Sequence, residues 1–204
     1  MNPFQRKSVL DVWGISEQEL TQIVGMNPSM RGFMIGYIAE YQLKKMHFSG
    51  DIWKNVSKDD DHDRKKKGDL VFFYKNYKFR VECKSLQTNS IKYEKGVYTG
   101  NYQCDASDKR KVNLKNGETI ETTCLLRGEF DLVAVNLFAF ENKWKFAFAL
   151  NKDLPQSKFK KYPLEIREQL LATSMPISWP LQTPYNESPI PLLDYLISSH
   201  SSTG

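Results

Sequence analysis

Asp69, Glu82 and Lys84 lie on one short stretch, Lys67-Gly68-Asp69-Leu70-Val71-Phe72-Phe73-Tyr74-Lys75-Asn76-Tyr77-Lys78-Phe79-Arg80-Val81-Glu82-Cys83-Lys84. The apolar runs on either side of Lys75-Asn76 read as two strands joined by a tight polar turn. Alternation along the second strand puts Arg80, Glu82 and Lys84 on one face and Phe79, Val81 and Cys83 on the other. Two carboxylates and a lysine on rigid strands suit metal-dependent cleavage of a phosphodiester. Carboxylates hold Mg²⁺ while water completes its shell. The ion polarises the phosphate and lowers the pKa of a bound water, and the lysine orients that water or stabilises the developing charge. The competing account is a salt-bridge ladder on a half-exposed hairpin.

This pattern resembles the PD-(D/E)xK nuclease superfamily, which includes most type II restriction endonucleases. Asp69 matches the motif's aspartate, Glu82-Cys83-Lys84 matches its (D/E)xK triplet, and Gly68 stands where the motif usually has proline. The resemblance covers roughly residues 30 to 150. It implies an α/β (α+β) fold: a mixed four- to five-stranded sheet flanked by helices, with a β-hairpin insertion. It also implies Mg²⁺, with Mn²⁺ as a substitute, held by Asp69 and Glu82. Cys83 and Glu40 join that ligand set, Glu40 matching a glutamate that many members carry on the helix before the active-site hairpin.

A second triplet, Glu141-Asn142-Lys143 with Asp131 ten positions upstream, fits the same pattern. It ranks lower because Glu141-Asn142 reads as a polar turn between apolar strands Phe130–Phe140 and Trp144–Leu150. A turn holds a metal ligand poorly. Asp131 reads as a structural or supporting group.

The elements around the hairpin follow from local signals. Ser16-Glu17-Gln18-Glu19 is a capping box that starts a short helix through about Val24. Ser29 caps a longer helix to about Met46, with Phe33, Met34, Tyr37, Ile38 and Tyr41 at helical spacing. Gly32, Gly36 and Glu40 share a side of it, where glycines admit a neighbouring backbone; the bland alternative for Glu40 is a pair with Lys44. A polar run with three aspartates follows, and its basic half, Arg64 to Lys67, leads into Asp69 and offers phosphate contacts. Past Lys84 the chain is polar to Glu129, with an Asn116-Gly117 turn that signals a hairpin. Gln103, Asp105, Ser107, Lys109, Arg110 and Lys111 carry the chemistry of base and phosphate contacts, since glutamine suits adenine, arginine and lysine guanine, and aspartate cytosine. Pro163 starts a helix to about Ala172. The segment from Pro176 to Pro191 reads as extended, and Leu192–Ser198 as a last helix.

The 204 residues, 40% hydrophobic and 13% aromatic, suit one domain with an ample core. Within it, 1–28 is a helical extension, 29–150 the catalytic core with 85–129 as recognition insertion, and 151–204 a helical, proline-rich segment. A net charge of +5 is compatible with a polyanionic partner. Three cysteines and three scattered histidines argue against a disulfide framework, a zinc site or a histidine-based centre. The N-terminus lacks a signal-peptide apolar region, and no run approaches membrane-spanning length, so a cytoplasmic location is expected. No phosphate loop points to a nucleotide cofactor. The leading expectation is a Mg²⁺-dependent, sequence-specific endonuclease of double-stranded DNA, working as a homodimer on a palindrome. The alternatives are a structure-selective repair or junction-resolving nuclease of the same fold, a catalytically silent DNA-binding module and, more weakly, an RNA-binding protein.

Overall fold

Ser8 and Ser16 each open a helix by the same reciprocal arrangement. Ser8 Oγ accepts the backbone N–H of Asp11 while Asp11 accepts that of Ser8, both at 3.0 Å, starting α1 (Val9–Trp13). Ser16 and Glu19 do the same for α2 (Glu17–Met26), at 3.2 and 2.8 Å. Asn27 closes α2 by donating to the Ile23 carbonyl at 2.7 Å. Pro28 then begins α3 (Pro28–His47), where its fixed φ suits the first helical position. The computed structural model describes residues 7–58 and 68–201. The chain divides into two compact units, Met1–Ile38 and Ala39–Gly204.

Taken alone, the first unit buries none of its described side chains: α1 and α2 contain no buried residue, and those of α3, Ala39 and Leu43, belong to the second unit. Val12, Trp13, Met26 and Phe33 are between 63 and 81% exposed. The Cβ positions built at Gly32 and Gly36 meet nothing within 4 Å among the described residues, so those glycines admit no neighbouring backbone there.

The second unit is organised by a five-stranded mixed sheet. Its strands are β1 (Trp53–Ser57), β2 (Leu70–Tyr74) and β3 (Tyr77–Ser85). A parallel pairing joins β3 to β8 (Leu132–Asn136), and β9 (Phe146–Leu150) closes the order β1-β2-β3-β8-β9. Strands β8 and β9 are buried throughout, as near-continuous apolar runs demand of strands covered on both faces. On one face the last turns of α3 and the final helix α6 (Ile190–Ser201) bring Ala39, Leu43 and Leu193 against Trp53, Phe72, Phe79 and Phe148. On the other face Val133, Val135, Ala147 and Ala149 pack against Tyr102, Met175 and Ile177.

That second cover comes from the segment between β3 and β8 together with a strand that follows β9. It holds β4 (Lys92–Glu94) and β5 (Val97–Gln103), which form a three-stranded sheet with β10 (Ser174–Trp179), in the order β10-β5-β4. The expected hairpin follows as β6 (Asp105–Asn113) and β7 (Thr119–Cys124), with Gly117 at φ 85° in its turn. Residues 102–111 therefore lie largely on strands rather than in a loop. The run expected as one strand, 130–140, is shorter: after β8 the chain turns into α4 (Phe138–Glu141). The helix expected from Pro163 to Ala172 is the short α5 (Leu164–Arg167).

Candidate active site

Lys75 and Asn76 both adopt positive φ, 48° and 68°. That geometry makes the two-residue turn whose twist suits a hairpin. The turn fixes the register of β2 against β3, with Leu70 opposite Val81 and Phe72 opposite Phe79. It thereby brings Asp69, just before β2, beside the far end of β3. Two hydrogen bonds lock it there: the Asp69 N–H donates to the Val81 carbonyl at 2.8 Å, and Asp69 Oδ2 accepts the Cys83 N–H at 2.7 Å.

Gly68 makes that approach possible. Its φ is +83°, and a Cβ built there would lie 3.2 Å from both the Arg80 Cβ and the Val81 carbonyl oxygen. Proline is confined to φ near −65°. The departure from the motif's usual residue is therefore a requirement of this backbone.

Lys84 Nζ lies 2.8 Å from Glu82 Oε1 and donates to the Asp105 carbonyl at 3.1 Å. Alternation along β3 holds both side chains on the face away from α3. Burial pulls the Lys84 ammonium down, but Glu82 and Asp69 outweigh that effect and hold it above its ordinary value. Lys84 is therefore a cation at neutral pH. Burial, then the Glu82 carboxylate, pushes Asp69 up to about 7, with Lys84 and the Cys83 N–H opposing. Lys84 thus only partly offsets the crowding of the Asp69 and Glu82 carboxylates.

Glu40 lies on the last part of α3, with its Oε2 2.6 Å from Lys58 Nζ, and it adds to the negative field on Asp69. Lys44 donates instead to the Val56 carbonyl at 3.4 Å. The Cys83 side chain packs with the α3-side core, and burial pushes its thiol well above the ordinary range. Its part in the arrangement is its backbone N–H. Among the described residues no group of three or more His, Cys, Asp or Glu could hold a metal ion. A cation here would rest on Asp69 and Glu82 with water and phosphate oxygens.

The insertion residues separate by role. Gln103 donates to Asp105 Oδ2 at 3.1 Å and accepts from Gln87 at 3.2 Å. Ser107, Lys109 and Lys111 are exposed on β6. Arg110 turns the other way and forms a bidentate pair with Glu129, 2.5 Å at each oxygen, with a third bond to the Cys124 carbonyl. Its guanidinium ties β6 to the chain before β8 instead of facing a ligand. Lys67 and the run Arg64 to Lys67 lie outside the described residues. In the competing triplet, Glu141 ends α4, Asn142 is its left-handed cap and Glu141 pairs with Lys145. Asp131 Oδ2 accepts the Arg80 N–H at 2.7 Å, a structural use.

Sequence reasoning did not find the Asp105 carbonyl beside Lys84 or the Arg110–Glu129 pair. Both join residues whose separation follows no strand or helix period. The burial of Glu129, with 6% of its side chain exposed, had no local signal.

No family model and no curated protein sequence matches the chain. The solved structure of a bacterial homing endonuclease, I-Ssp6803I, is similar over 66% of this chain and 85% of that one, at 17% identity and a TM-score of 0.33. A likeness at that level carries no argument about activity.

Proposed function

We propose that this protein is a Mg²⁺-dependent endonuclease of double-stranded DNA, of the PD-(D/E)xK kind and type II restriction-like in its action. The observation that carries the reading is the Glu82–Lys84 pair set beside Asp69, whose carboxyl is pushed to about 7. An ordinary surface ladder would be exposed and near its usual titration. Here two half-buried carboxylates crowd one another, which is costly unless a cation joins them.

The donor set suits Mg²⁺, an ion that keeps several waters and is commonly held by one or two carboxylates plus substrate phosphate. Asp69 and Glu82 would hold it, with Glu40 near enough to add to the field. When bound, the ion polarises the phosphate and acidifies a water. Asp69, anchored by the Cys83 N–H, presents a rigid carboxylate. Lys84, charged and held between Glu82 and the Asp105 carbonyl, stabilises the charge that grows on the phosphoryl oxygens as water adds and one ester bond breaks.

Base and phosphate contacts fall to Gln103, Asp105, Ser107, Lys109 and Lys111, and Lys67 is a further phosphate contact. Arg110 holds this surface in place. One site per chain cuts both strands most simply as a two-fold dimer, and the exposed apolar residues of the first unit are where we place the contact between copies. Such an enzyme acts in the cytoplasm.

The test is incubation with unmethylated phage DNA in Mg²⁺ or EDTA, analysed on a gel. Discrete bands that require Mg²⁺ are expected. Smearing, or cutting confined to branched substrates, would replace the restriction reading with a structure-selective nuclease. Binding without cleavage on diverse DNA would leave a silent DNA-binding module.

A further inference from the structure

Three exposed cations stand on the sheet face that carries Glu82 and Lys84. Strand pairing sets Lys54 opposite Phe73, Phe73 opposite Lys78, and Val71 opposite Arg80. Side chains at paired positions project from the same face. Alternation along β3 continues that face through Lys78, Arg80, Glu82 and Lys84. The reverse face is the one covered by α3, with Trp53, Phe72, Phe79 and Val81 in the core.

Lys54, Lys78 and Arg80 are exposed, and none is ion-paired to another described residue. The acidic groups nearby are engaged: Glu82 with Lys84, and Asp131 with the Arg80 backbone N–H. Lysines often mark sheet edges, where they block pairing with another chain. That does not explain Arg80, whose backbone N–H and carbonyl are both taken by Asp131 just before β8; Lys78 lies beyond the β3–β8 pairing, which runs from Val81 to Ser85. Alternate residues on a strand recur at about 6.6 Å, so the row from Lys78 to Lys84 extends about 20 Å. A single DNA strand offers one phosphate per ~3.4 Å of helix axis, so such a row faces several phosphates at once.

We propose that Lys54, Lys78 and Arg80 form a phosphate-binding strip that lays the backbone of duplex DNA along β3 and leads it to Glu82 and Lys84. The proposal rests on the nuclease reading of that site. Contacts of this kind set position and register without reading sequence.

The test is binding of a duplex of about 30 base pairs in EDTA, which blocks cutting, across about 50–200 mM salt. The wild type is compared with K54A/K78A/R80A and with K45A/K158A/K160A, which removes the same charge from exposed positions elsewhere. Each lost phosphate contact flattens the slope of log affinity against log salt by about 0.9. The strip variant should therefore lose about 2–3 of slope and at least about tenfold in affinity at a fixed salt, with its Tm unchanged and the control variant near wild type. A strip variant that keeps the wild-type slope, or a control that loses as much, would overturn the strip even if the wild type cuts DNA in Mg²⁺. Binding that loses the slope as expected, from a protein that never cuts, would retain the strip and overturn the nuclease reading. A wild type that does not bind duplex DNA would overturn the strip.

Discussion

Asp69 Oδ2 accepts the backbone N–H of Cys83 at 2.7 Å, so the two halves of the motif are joined through the residue between Glu82 and Lys84. The strand that presents Glu82 and Lys84 thereby also aims the aspartate. A carboxylate so placed is pre-organised, but it is held in a field that disfavours its charge.

That tension has a sign. Asp69 titrates at about 7 in the folded chain against 3.8 for its ordinary value. Between those values the folded state binds more protons than the unfolded one, so stability is fullest at low pH and falls as pH rises toward 7. Asp69→Asn should therefore stabilise the metal-free protein at pH 8, by on the order of 2 kcal/mol or about 4–8 °C in Tm. Mg²⁺ should raise the Tm of the wild type and leave this variant unmoved. Calorimetry in buffers of different ionisation heat should show close to one proton released per Mg²⁺ at pH 6 and almost none at pH 8.5.

Gly68→Ala forces a side chain onto a backbone at φ +83°, against Arg80 and Val81. The expected loss is about 1–2 kcal/mol in urea unfolding, with cleavage falling further because Asp69 is next in the chain. Gly68→Pro, which restores the motif's usual residue, should be worse than alanine.

Arg110→Ala would take the bidentate cation from the buried Glu129, which keeps the Leu126 N–H, a loss of about 3–5 kcal/mol. Lys109→Ala and Lys111→Ala, both exposed, should change stability by less than about 0.5 kcal/mol while weakening DNA binding. Thermal melts and binding isotherms on the three variants separate the two roles, and equal destabilisation by all three would refute the division.

The apolar side chains of the first unit offer on the order of 1,000 Å², since each aromatic alone presents about 150–250 Å², against about 800 Å² per partner in a standard interface. Sedimentation of the wild type at micromolar concentration should give a dimer, and F33E or W13E a monomer. A monomeric wild type would remove the first unit as the contact between copies.

Much of this could be read before the structure. The β2–β3 hairpin was legible because period-two alternation and a Lys-Asn turn agree. The end of β8 was not: an apolar run does not distinguish a strand from a buried helix. The chain turns at Asn136, whose side chain accepts the Phe138 N–H at 2.9 Å to start α4. Residues 102–111 read as a polar loop because their strands pair through backbone, and between Asp105 and Arg110 the register shifts, which hides alternation. The Lys84–Asp105 contact joins the insertion to β3 through a carbonyl, a group every residue possesses and no sequence pattern marks.

The most direct test compares the two triplets on supercoiled plasmid in Mg²⁺. Wild type and Glu141→Ala should linearise it at similar rates, while Glu82→Ala and Lys84→Ala should each lose at least about a hundredfold, the scale of a removed charge-stabilising group, with their folds intact by circular dichroism. A Lys84→Ala protein that cuts at the wild-type rate, or a Glu141→Ala protein that does not cut, would contradict the assignment of the site to Asp69, Glu82 and Lys84.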